Sequence, residues 1–266
     1  HRPHRGLSGA CVMSRIPQPA VGSAERVESA IGPLWFRADD DVMRPAVKKT
    51  GWWEPGEGKV LQQLLRPGHR VLDVGAHIGY FSVLSHRSAA NITIDAVEPD
   101  PFTARLCELN LFAAKARATV WTCGLGDKRD TLGFVSAEHN PGDSRLVADA
   151  AASTVVPVIS ADELFDGVGF DVIKVDVQGF EREVFLGMQG VLRRSPGVNV
   201  LVEFFPGAIA EGGSRPVDTL REYQSMGFEV RALVGEQIRD ISFDEMIAIC
   251  AASGPQGFLT LLLHRR

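Results

Sequence analysis

The feature that most constrains the fold is a regular alternation of strand-like and helix-like segments after Gly68. Continuous apolar strands that alternate with helices are typical of a mostly parallel sheet with helices on both faces. We therefore expect an α/β, Rossmann-like fold around a seven-stranded sheet. The predicted strands are Arg70–Val74, Ile92–Val97, Ala118–Cys123, Phe170–Asp176, Val198–Phe205, Phe228–Val234 and Phe258–His264.

Helices are predicted between these strands, and a polar hairpin is predicted after the third strand. The hairpin arms are Thr131–Ser136 and Ser153–Val158, and the segment between them is too polar to belong to the core. The predicted helices are Tyr80–Arg87, Pro101–Ala114, Phe180–Arg194 and Val217–Met226.

The chain before the alternating region is expected to have two parts. Residues 1–32 are rich in Pro, Ser, Ala and Gly without a sustained period, which predicts a flexible N-terminal arm, and the stretch before Met13 is expected to be foreign to the native protein. Residues 33–68 contain three of the four tryptophans and a helix-like run at Gly58–Leu65. They are expected to form a cap that packs aromatic side chains on the core, with a second role in covering a bound ligand. Residues 69–266 would form the main domain.

Composition argues against several classes of function. The net charge of −5 and the pI of about 5.8 give no basic field that attracts phosphates, so we expect a small-molecule partner and no nucleic acid. The four cysteines lack the spacing of a zinc site or a disulfide framework. No apolar run is long enough to span a membrane. A cytoplasmic protein with reduced thiols and no membrane partner is therefore expected.

The first chemical signal is the segment Asp73–Gly79, which reads D-V-G-A-H-I-G and joins the first strand to a helix. Glycines let the backbone turn sharply and approach a ligand closely, and the helix N-terminus offers free N–H donors to a carboxylate. The spacing G-x-x-x-G differs from the dinucleotide pattern G-x-G-x-x-G, and no P-loop lysine is present. The turn therefore predicts a ligand without a pyrophosphate.

Acids follow the next strands of the predicted parallel sheet. Glu98, followed by Pro99, closes the second strand, where a carboxylate can accept both hydroxyls of a ribose. Asp127 ends a short loop after the third strand that can accept from an adenine amino group. Asp176 ends the fourth strand, and Glu181 stands in the first turn of the next helix. Each acid alone also fits a structural role, but the carboxyl ends of parallel strands share one edge, so together they predict a ligand crevice.

The chain resembles the FkbM-type methyltransferases in four segments that follow one another in order. They are Val71–Gly79, Ala96–Asp100, Ile173–Glu181 and Leu201–Phe204. The resemblance implies a class I methyltransferase fold, with S-adenosylmethionine as its cofactor. It implies a cofactor site formed by Asp73, Gly75, Ala76, His77, Gly79, Glu98, Pro99, Asp127 and Asp176.

Within that implied site, the glycine turn would hold the methionine end, Glu98 the ribose and Asp127 the adenine, with Asp176 at the reaction centre. Two residues depart from the family pattern. His77 stands where the family usually has Asn, and Gln178 stands where it usually has Glu, so the role of that acid is not transferred.

Methyl transfer requires mainly positioning, because the positive sulfur of the cofactor is already a good leaving group. An acceptor hydroxyl additionally requires a base. A divalent cation on the clustered acids is an alternative that is not favoured, because clustered carboxylates more often act alone or pair with a lysine. The residues predicted to carry the chemistry are Asp176, Glu181, Glu203 and His139, with His77 as a further candidate base.

The expected function is O-methylation of a small sugar-containing or polyketide-type natural product. The loops at 139–145 and 207–215 would shape the acceptor site. Methylation of an amine or a carboxylate remains an alternative, as does a macromolecular substrate, which the acidic net charge does not favour. From other classes, a nicotinamide-dependent oxidoreductase would share the sheet and the ribose acid but requires the missing glycine pattern. A non-catalytic binding module would lack the clustered acids.

Overall fold

The computed structural model describes residues 24–135, 145–147, 154–211, 213–254 and 256–265. Their strands are β1 (Ala24–Ser29), β2 (Gly32–Arg37), β3 (Arg70–Val74), β4 (Thr93–Val97), β5 (Arg117–Trp121), β6 (Gly124–Leu125), β7 (Asp130–Val135), β8 (Arg145–Val147), β9 (Thr154–Ile159), β10 (Val172–Val175), β11 (Asn199–Phe204), β12 (Phe228–Val234), β13 (Gln237–Arg239) and β14 (Leu259–Arg265). Their helices are α1 (Met43–Thr50), α2 (Pro55–Leu64), α3 (Tyr80–Ser88), α4 (Pro101–Ala114), α5 (Ala161–Leu164), α6 (Glu181–Gly187), α7 (Gln189–Arg193), α8 (Pro206–Glu211), α9 (Pro216–Ser225) and α10 (Phe243–Ala252).

The main sheet has eight strands in the order β13-β12-β14-β11-β10-β3-β4-β5. The five strands from β11 to β5 are parallel, whereas β14 lies antiparallel between β11 and β12. This confirms the predicted mostly parallel α/β sheet, but the expected number of seven strands is wrong by one. The additional strand is β13, which pairs antiparallel with β12 because Gly235, with a φ of 66°, lets the chain reverse. A strand of 3 residues carries too little periodicity to be predicted.

The register of the parallel strands aligns their carboxyl ends. Val74 of β3 is opposite Val97 of β4 on one side and Val175 of β10 on the other. Val175 is in turn opposite Val202 of β11. Because these ends lie at one level, the side chains that follow them emerge along one edge of the sheet.

Helices cover the sheet, and two clusters of buried apolar side chains pack against it. The helix α4 has the predicted bounds, and Asp100 caps it by accepting a hydrogen bond of 2.7 Å from the Thr103 N–H. The predicted helix 180–194 is instead divided into α6 and α7. The division follows Gly187, which lies so close to the loop after β6 that an added Cβ would be 1.8 Å from the Gly126 carbonyl oxygen.

A smaller sheet of order β6-β9-β7-β8 lies beside the main one. Its strands β7 and β9 pair antiparallel, as the predicted hairpin requires. The segment 207–215, expected as a loop, contains most of the helix α8. Among the described helices, none combines the length and apolar character that crossing a bilayer requires.

The first described residues form an antiparallel hairpin of β1 and β2, with Ala24 opposite Arg37. Residues 24–32 therefore belong to a folded cap rather than to the expected arm, and residues 1–23 lie outside the described part. The hairpin is fixed to α4 through the buried Asn110 side chain, which accepts from the Trp35 N–H at 2.7 Å and donates to the Trp35 carbonyl at 3.0 Å. This long-range attachment orders a segment whose local sequence predicts no structure.

Candidate functional site

A cavity of about 310 Å³ opens at the carboxyl ends of β3, β4, β10 and β11. Its wall beside the small sheet is apolar and includes Leu125, Phe134 and Leu146. The lining also includes ionisable groups that interact with one another and form the ionisable end of the cavity, namely Glu54, Lys174, Asp176 and Glu203. The cavity can therefore hold a ligand with a flat apolar end and a polar reacting end.

The predicted glycine turn follows β3 and lies against the end of β10. Gly75 has a φ of 79°, and an added Cβ would be 1.8 Å from the Asp176 carbonyl oxygen, so only glycine fits. The N–H groups of Gly75 and Ala76 both donate to the Val97 carbonyl, at 2.9 and 3.0 Å. These bonds fix the turn to the end of β4 and leave Gly75, Ala76 and His77 on the cavity wall.

Glu98 lies on the cavity wall at the end of β4, next to Pro99, and is only 6% exposed. Its two carboxyl oxygens accept from the His77 N–H and the Asp100 N–H, both at 2.9 Å. Burial raises the pKa of Glu98 to about 8. A carboxyl group with free lone pairs at this place can accept further hydrogen bonds from a ligand.

His77 also lines the cavity, with its backbone at a φ of 50°. Such a left-handed backbone is adopted more readily by Asn than by most residues, which agrees with the Asn that the family usually has there. The ring atom Nε2 is buried and has no hydrogen-bond partner among the described residues. Burial lowers the pKa of His77, so the ring is neutral at neutral pH.

Asp176 lies beside β10 at the charged end of the cavity, where both of its oxygens have partners. The buried Lys174 ammonium donates to Oδ2 at 2.7 Å, and the Gln178 amide donates to Oδ1 at 3.1 Å and to Glu203 at 2.9 Å. Burial raises the pKa of Asp176, but the charge and hydrogen bond of Lys174 outweigh it and hold that pKa below its usual value. An amide at position 178 can bridge two acids, whereas a glutamate there would add a further negative charge.

Glu203 of β11 lines the same cavity. Burial and the negative charge of Asp176 raise the pKa of Glu203 to about 9, so it is protonated at neutral pH. The structure therefore brings together Glu98, Asp176 and Glu203, which the sequence predicted separately, on one cavity wall.

Glu54 is a cavity residue that the sequence did not select. It precedes α2 and belongs to the cap, together with Val42, Met43 and Trp53 of the same wall. Burial and the negative charge of Glu57 raise the pKa of Glu54 to about 8. The only sequence signal was its position between a tryptophan pair and Pro55 in a cap expected to cover the ligand.

Other predicted residues lie away from the cavity lining. Asp73 is buried behind the turn, where it accepts from the Ser82 hydroxyl at 2.6 Å, and Gly79 begins α3 against Cys107. Asp127 is solvent-exposed, so its adenine role stays a prediction.

Glu181 is buried and accepts from the Gly179 N–H at 3.0 Å, and burial raises its pKa to about 7. His139 lies outside the described residues. In the part of the chain that the structure describes, no group of three or more His, Cys, Asp or Glu side chains is arranged to hold a metal ion.

Comparison with known proteins assigns this site to a family. Residues 73–237 match the model of the methyltransferase FkbM domain, which is more than half of the 266-residue chain. The chain belongs to the FkbM methyltransferase family. It is therefore a methyltransferase, and the matched region runs from the glycine turn to β13.

Two curated proteins are similar to this FkbM-family chain. Methyltransferase sdnD of Sordaria araneosa is 28% identical over 203 residues, which cover 73% of this chain and 71% of that protein. The 31-O-demethyl-FK506 methyltransferase FkbM of Streptomyces tacrolimicus is 34% identical over 64 residues, which cover 24% of this chain and 25% of that protein. Among solved structures, the O-methyltransferase TomG of Streptomyces achromogenes, in complex with SAM, has a TM-score of 0.45 and 17% identity, covering 81% of this chain and 82% of that one.

The residues of this family member fit S-adenosylmethionine, the cofactor that the fold implies. Glu98 presents a buried carboxyl group, and Leu125 belongs to the apolar wall of the same cavity. A carboxyl group would suit the ribose of such a ligand, and an apolar wall would suit its adenine.

Proposed function

We propose that this FkbM-family methyltransferase transfers the methyl group of S-adenosylmethionine to a hydroxyl of a small oxygenated molecule, such as a sugar-containing or polyketide-type compound. The observation that carries the proposal is that one cavity is lined both by apolar side chains of the small sheet, such as Leu125, and by a cluster of ionisable groups around Lys174 and Asp176. The apolar side chains suit the nucleoside, and the ionisable cluster suits the reacting groups.

The cofactor end is assigned to the residues of the glycine turn and to Glu98. The turn would approach the amino-acid part through backbone groups, because glycine brings the main chain close to a ligand. Glu98 would accept the ribose hydroxyls with the lone pairs that its two backbone partners leave free.

The acceptor end is assigned to the ionisable groups between the cap and β11. When bound, the cofactor supplies a methyl group on a positively charged sulfur. Asp176, kept ionised by Lys174, would stabilise positive charge at this end and orient the acceptor through hydrogen bonds. Trp53 and Phe258, which also line the cavity, would exclude water from it.

A hydroxyl acceptor is supported by two considerations. The ionised Asp176 makes the cavity unfavourable for a carboxylate acceptor, because like charges repel at short range in a buried site. The FkbM relative is named for methylation at an oxygen, 31-O of FK506. An amine acceptor is compatible with the same acids and is the alternative to test. The net charge of −5 supports the exclusion of nucleic acid.

Calorimetric titration tests the cofactor. We expect S-adenosylhomocysteine to bind in the micromolar range and NADH to show no binding, because the turn after β3 lacks the dinucleotide spacing. Comparable binding of NADH would contradict the proposed cofactor and favour an oxidoreductase.

Incubation with methyl-labelled cofactor tests the acceptor. A panel of glycosylated and polyketide alcohols, amines and carboxylic acids would be compared, with heat-inactivated protein as the control. We expect label on oxygen of an alcohol. Label only on nitrogen, or only on nucleic acid or protein, would contradict the hydroxyl proposal.

A further inference from the structure

Glu54 occupies its place in the cavity through an unusual backbone conformation. It has φ 40° and ψ 63°, in the left-handed region that disfavours residues other than glycine and asparagine. The preceding residue is fixed, because the Trp53 N–H donates to the buried Tyr80 hydroxyl at 3.1 Å. Strained residues of this kind cluster at functional sites, where the surrounding structure holds them. The cap thus holds the Glu54 carboxyl group against the ionisable end of the cavity.

The groups that face Glu54 come from every element around it. Glu57 of α2 shares a hydrogen bond with it, and Tyr80, Lys174, Asp176 and Glu203 interact with it electrostatically. Glu57 is buried and lies 3.4 Å from the Lys174 ammonium. Glu54 is therefore the outer member of a chain of groups that runs through Glu57 and Lys174 to Asp176.

The three acids of this series, Glu54, Glu57 and Asp176, differ in the hydrogen-bond and ion-pair partners that their carboxyl oxygens have. Both oxygens of Asp176 accept from fixed donors, Lys174 and Gln178, so a proton added there would break a buried ion pair. Glu57 accepts from the Thr260 hydroxyl at 3.1 Å in addition to its contact with Lys174. Glu54 has no such cationic partner within hydrogen-bond distance among the described residues, which leaves its carboxylate with a greater affinity for a proton than Asp176 has.

We propose that Glu54 is the catalytic residue that accepts the proton of the acceptor hydroxyl. The inference rests on the proposed function. As the acceptor oxygen forms its bond to the methyl carbon, the carbon–sulfur electron pair remains on sulfur. The hydroxyl proton passes to the Glu54 carboxylate, so the step is balanced without a further reactant. Asp176 then acts as a fixed negative charge that orients the acceptor, rather than as the base.

The charge of the bound ligand controls whether Glu54 is ionised. With a pKa of about 8, Glu54 is mostly protonated at neutral pH in the ligand-free protein. A positive charge bound beside it favours the carboxylate, which is the form that can accept a proton. Once that positive charge was lost, the proton affinity of Glu54 would rise again, which suits a residue that takes up the hydroxyl proton.

Proton release on ligand binding tests this assignment without an acceptor. Binding of S-adenosylmethionine and of the neutral S-adenosylhomocysteine would be measured calorimetrically at pH 7.5 in buffers of different ionisation enthalpy. We expect S-adenosylmethionine to release more protons than S-adenosylhomocysteine, with at most about 0.8 of them from Glu54, the protonated fraction at this pH of a group with pKa 8. Glu54→Gln should lower the difference by the share of Glu54, and Glu54→Asp should retain part of that share. Glu28→Gln, on the exposed side of β1, should leave it unchanged.

Steady-state kinetics supply a second measurement, once the incubation with methyl-labelled cofactor has identified an acceptor. We expect Glu54→Gln to lower kcat by about 10²- to 10⁴-fold, the usual contribution of a general base, with an affinity for S-adenosylhomocysteine within a few-fold of wild type. A thermal melt would verify that each variant folds. If Glu54→Gln does not fold, the same kinetic measurement would be made on Glu54→Asp, whose side chain is shorter by one methylene.

The outcomes separate the two proposals. Equal proton release by both ligands in the wild type, or a difference that Glu54→Gln does not lower, would overturn the role of Glu54 while leaving the methyltransferase assignment intact. An unchanged kcat in Glu54→Gln would do the same. Failure of the wild type to bind either ligand would instead overturn the proposed cofactor, and the inference with it.

Discussion

At the scale of single residues, burial decides which acids of the cavity carry charge. Glu54, Glu98 and Glu203 have pKa values raised to about 8 or 9, so they are mainly neutral at neutral pH without ligand. Asp176 is partly buried and has the Lys174 ammonium at 2.7 Å, which keeps it ionised. The cavity therefore presents one fixed negative charge among acids that can still change their protonation when a ligand binds.

Glu98→Gln should weaken binding of S-adenosylhomocysteine roughly 10- to 100-fold, because hydrogen bonds to a charged group contribute about 1.5–3 kcal/mol. The reason is that an amide offers only one accepting atom to the ribose hydroxyls and the two backbone N–H groups. Calorimetry at pH 8.5, where Glu98 is largely ionised, measures the effect. Glu108→Gln on the exposed side of α4 is the matched control. Equal affinity in wild type and Glu98→Gln would assign Glu98 a structural role only.

At the scale of elements, the site depends on the close approach of the turn after β3 to the end of β10. Gly75 lies directly beside the Asp176 backbone, and the register keeps Val74 and Val175 opposite each other. The cofactor turn and the charged end of the cavity are therefore parts of one packed unit. A change in one of them displaces the other.

Gly75→Ala should destabilise the protein more than Gly68→Ala by roughly 1–3 kcal/mol, the usual cost of overpacking. Both glycines have positive φ, at 79° and 84°, so the backbone strain of an alanine is similar. The two sites differ in the room for a side chain. An added Cβ would lie 1.8 Å from the Asp176 carbonyl oxygen at Gly75, whereas it would meet nothing within 4 Å at Gly68. Urea denaturation of both variants measures the difference. Equal losses would show that strain alone matters at these turns.

At the scale of the whole molecule, the acids with raised pKa values make the stability of the fold depend on pH. An acid with a pKa of 8 or 9 when folded and about 4.5 when unfolded binds more protons in the folded state between those values. Its stabilising contribution is complete below pH 4.5 and is lost as the pH rises to 8–9. The same acids that prepare the cavity for a ligand therefore weaken the ligand-free fold in alkaline solution.

The free energy of unfolding of the ligand-free protein should fall between pH 6.5 and 8.5, by at most about 1.4 kcal/mol per pH unit for each such acid. The window lies above the range in which His77, with its lowered pKa, titrates. Urea denaturation at several pH values measures the slope. Glu203→Gln should make it shallower, because the amide cannot ionise. A free energy that rises across this window would contradict the raised pKa values.

The sequence alone predicted most of the elements and the acids at the strand ends. The strands β3, β4, β5, β10, β11, β12 and β14 lie where local apolar runs placed them, and α4 has the predicted bounds. This succeeded because strand and helix periodicity are local properties, and because parallel strands must bring their carboxyl ends to one edge. The segments Val71–Gly79, Ala96–Asp100, Ile173–Glu181 and Leu201–Phe204 together therefore predicted the family, and the acids at the strand ends predicted the cavity.

The tertiary structure decided what local sequence does not encode. The hairpin of β1 and β2 is held by Asn110, a residue 75 positions away from Trp35, and Glu54 reaches the cavity only because the cap packs over it. The protonation of Glu54 and Glu203 likewise depends on burial and on Asp176 and Lys174, which belong to other elements. Desolvation and charge proximity are properties of the packed molecule, so sequence could name the candidate acids but not their chemical states.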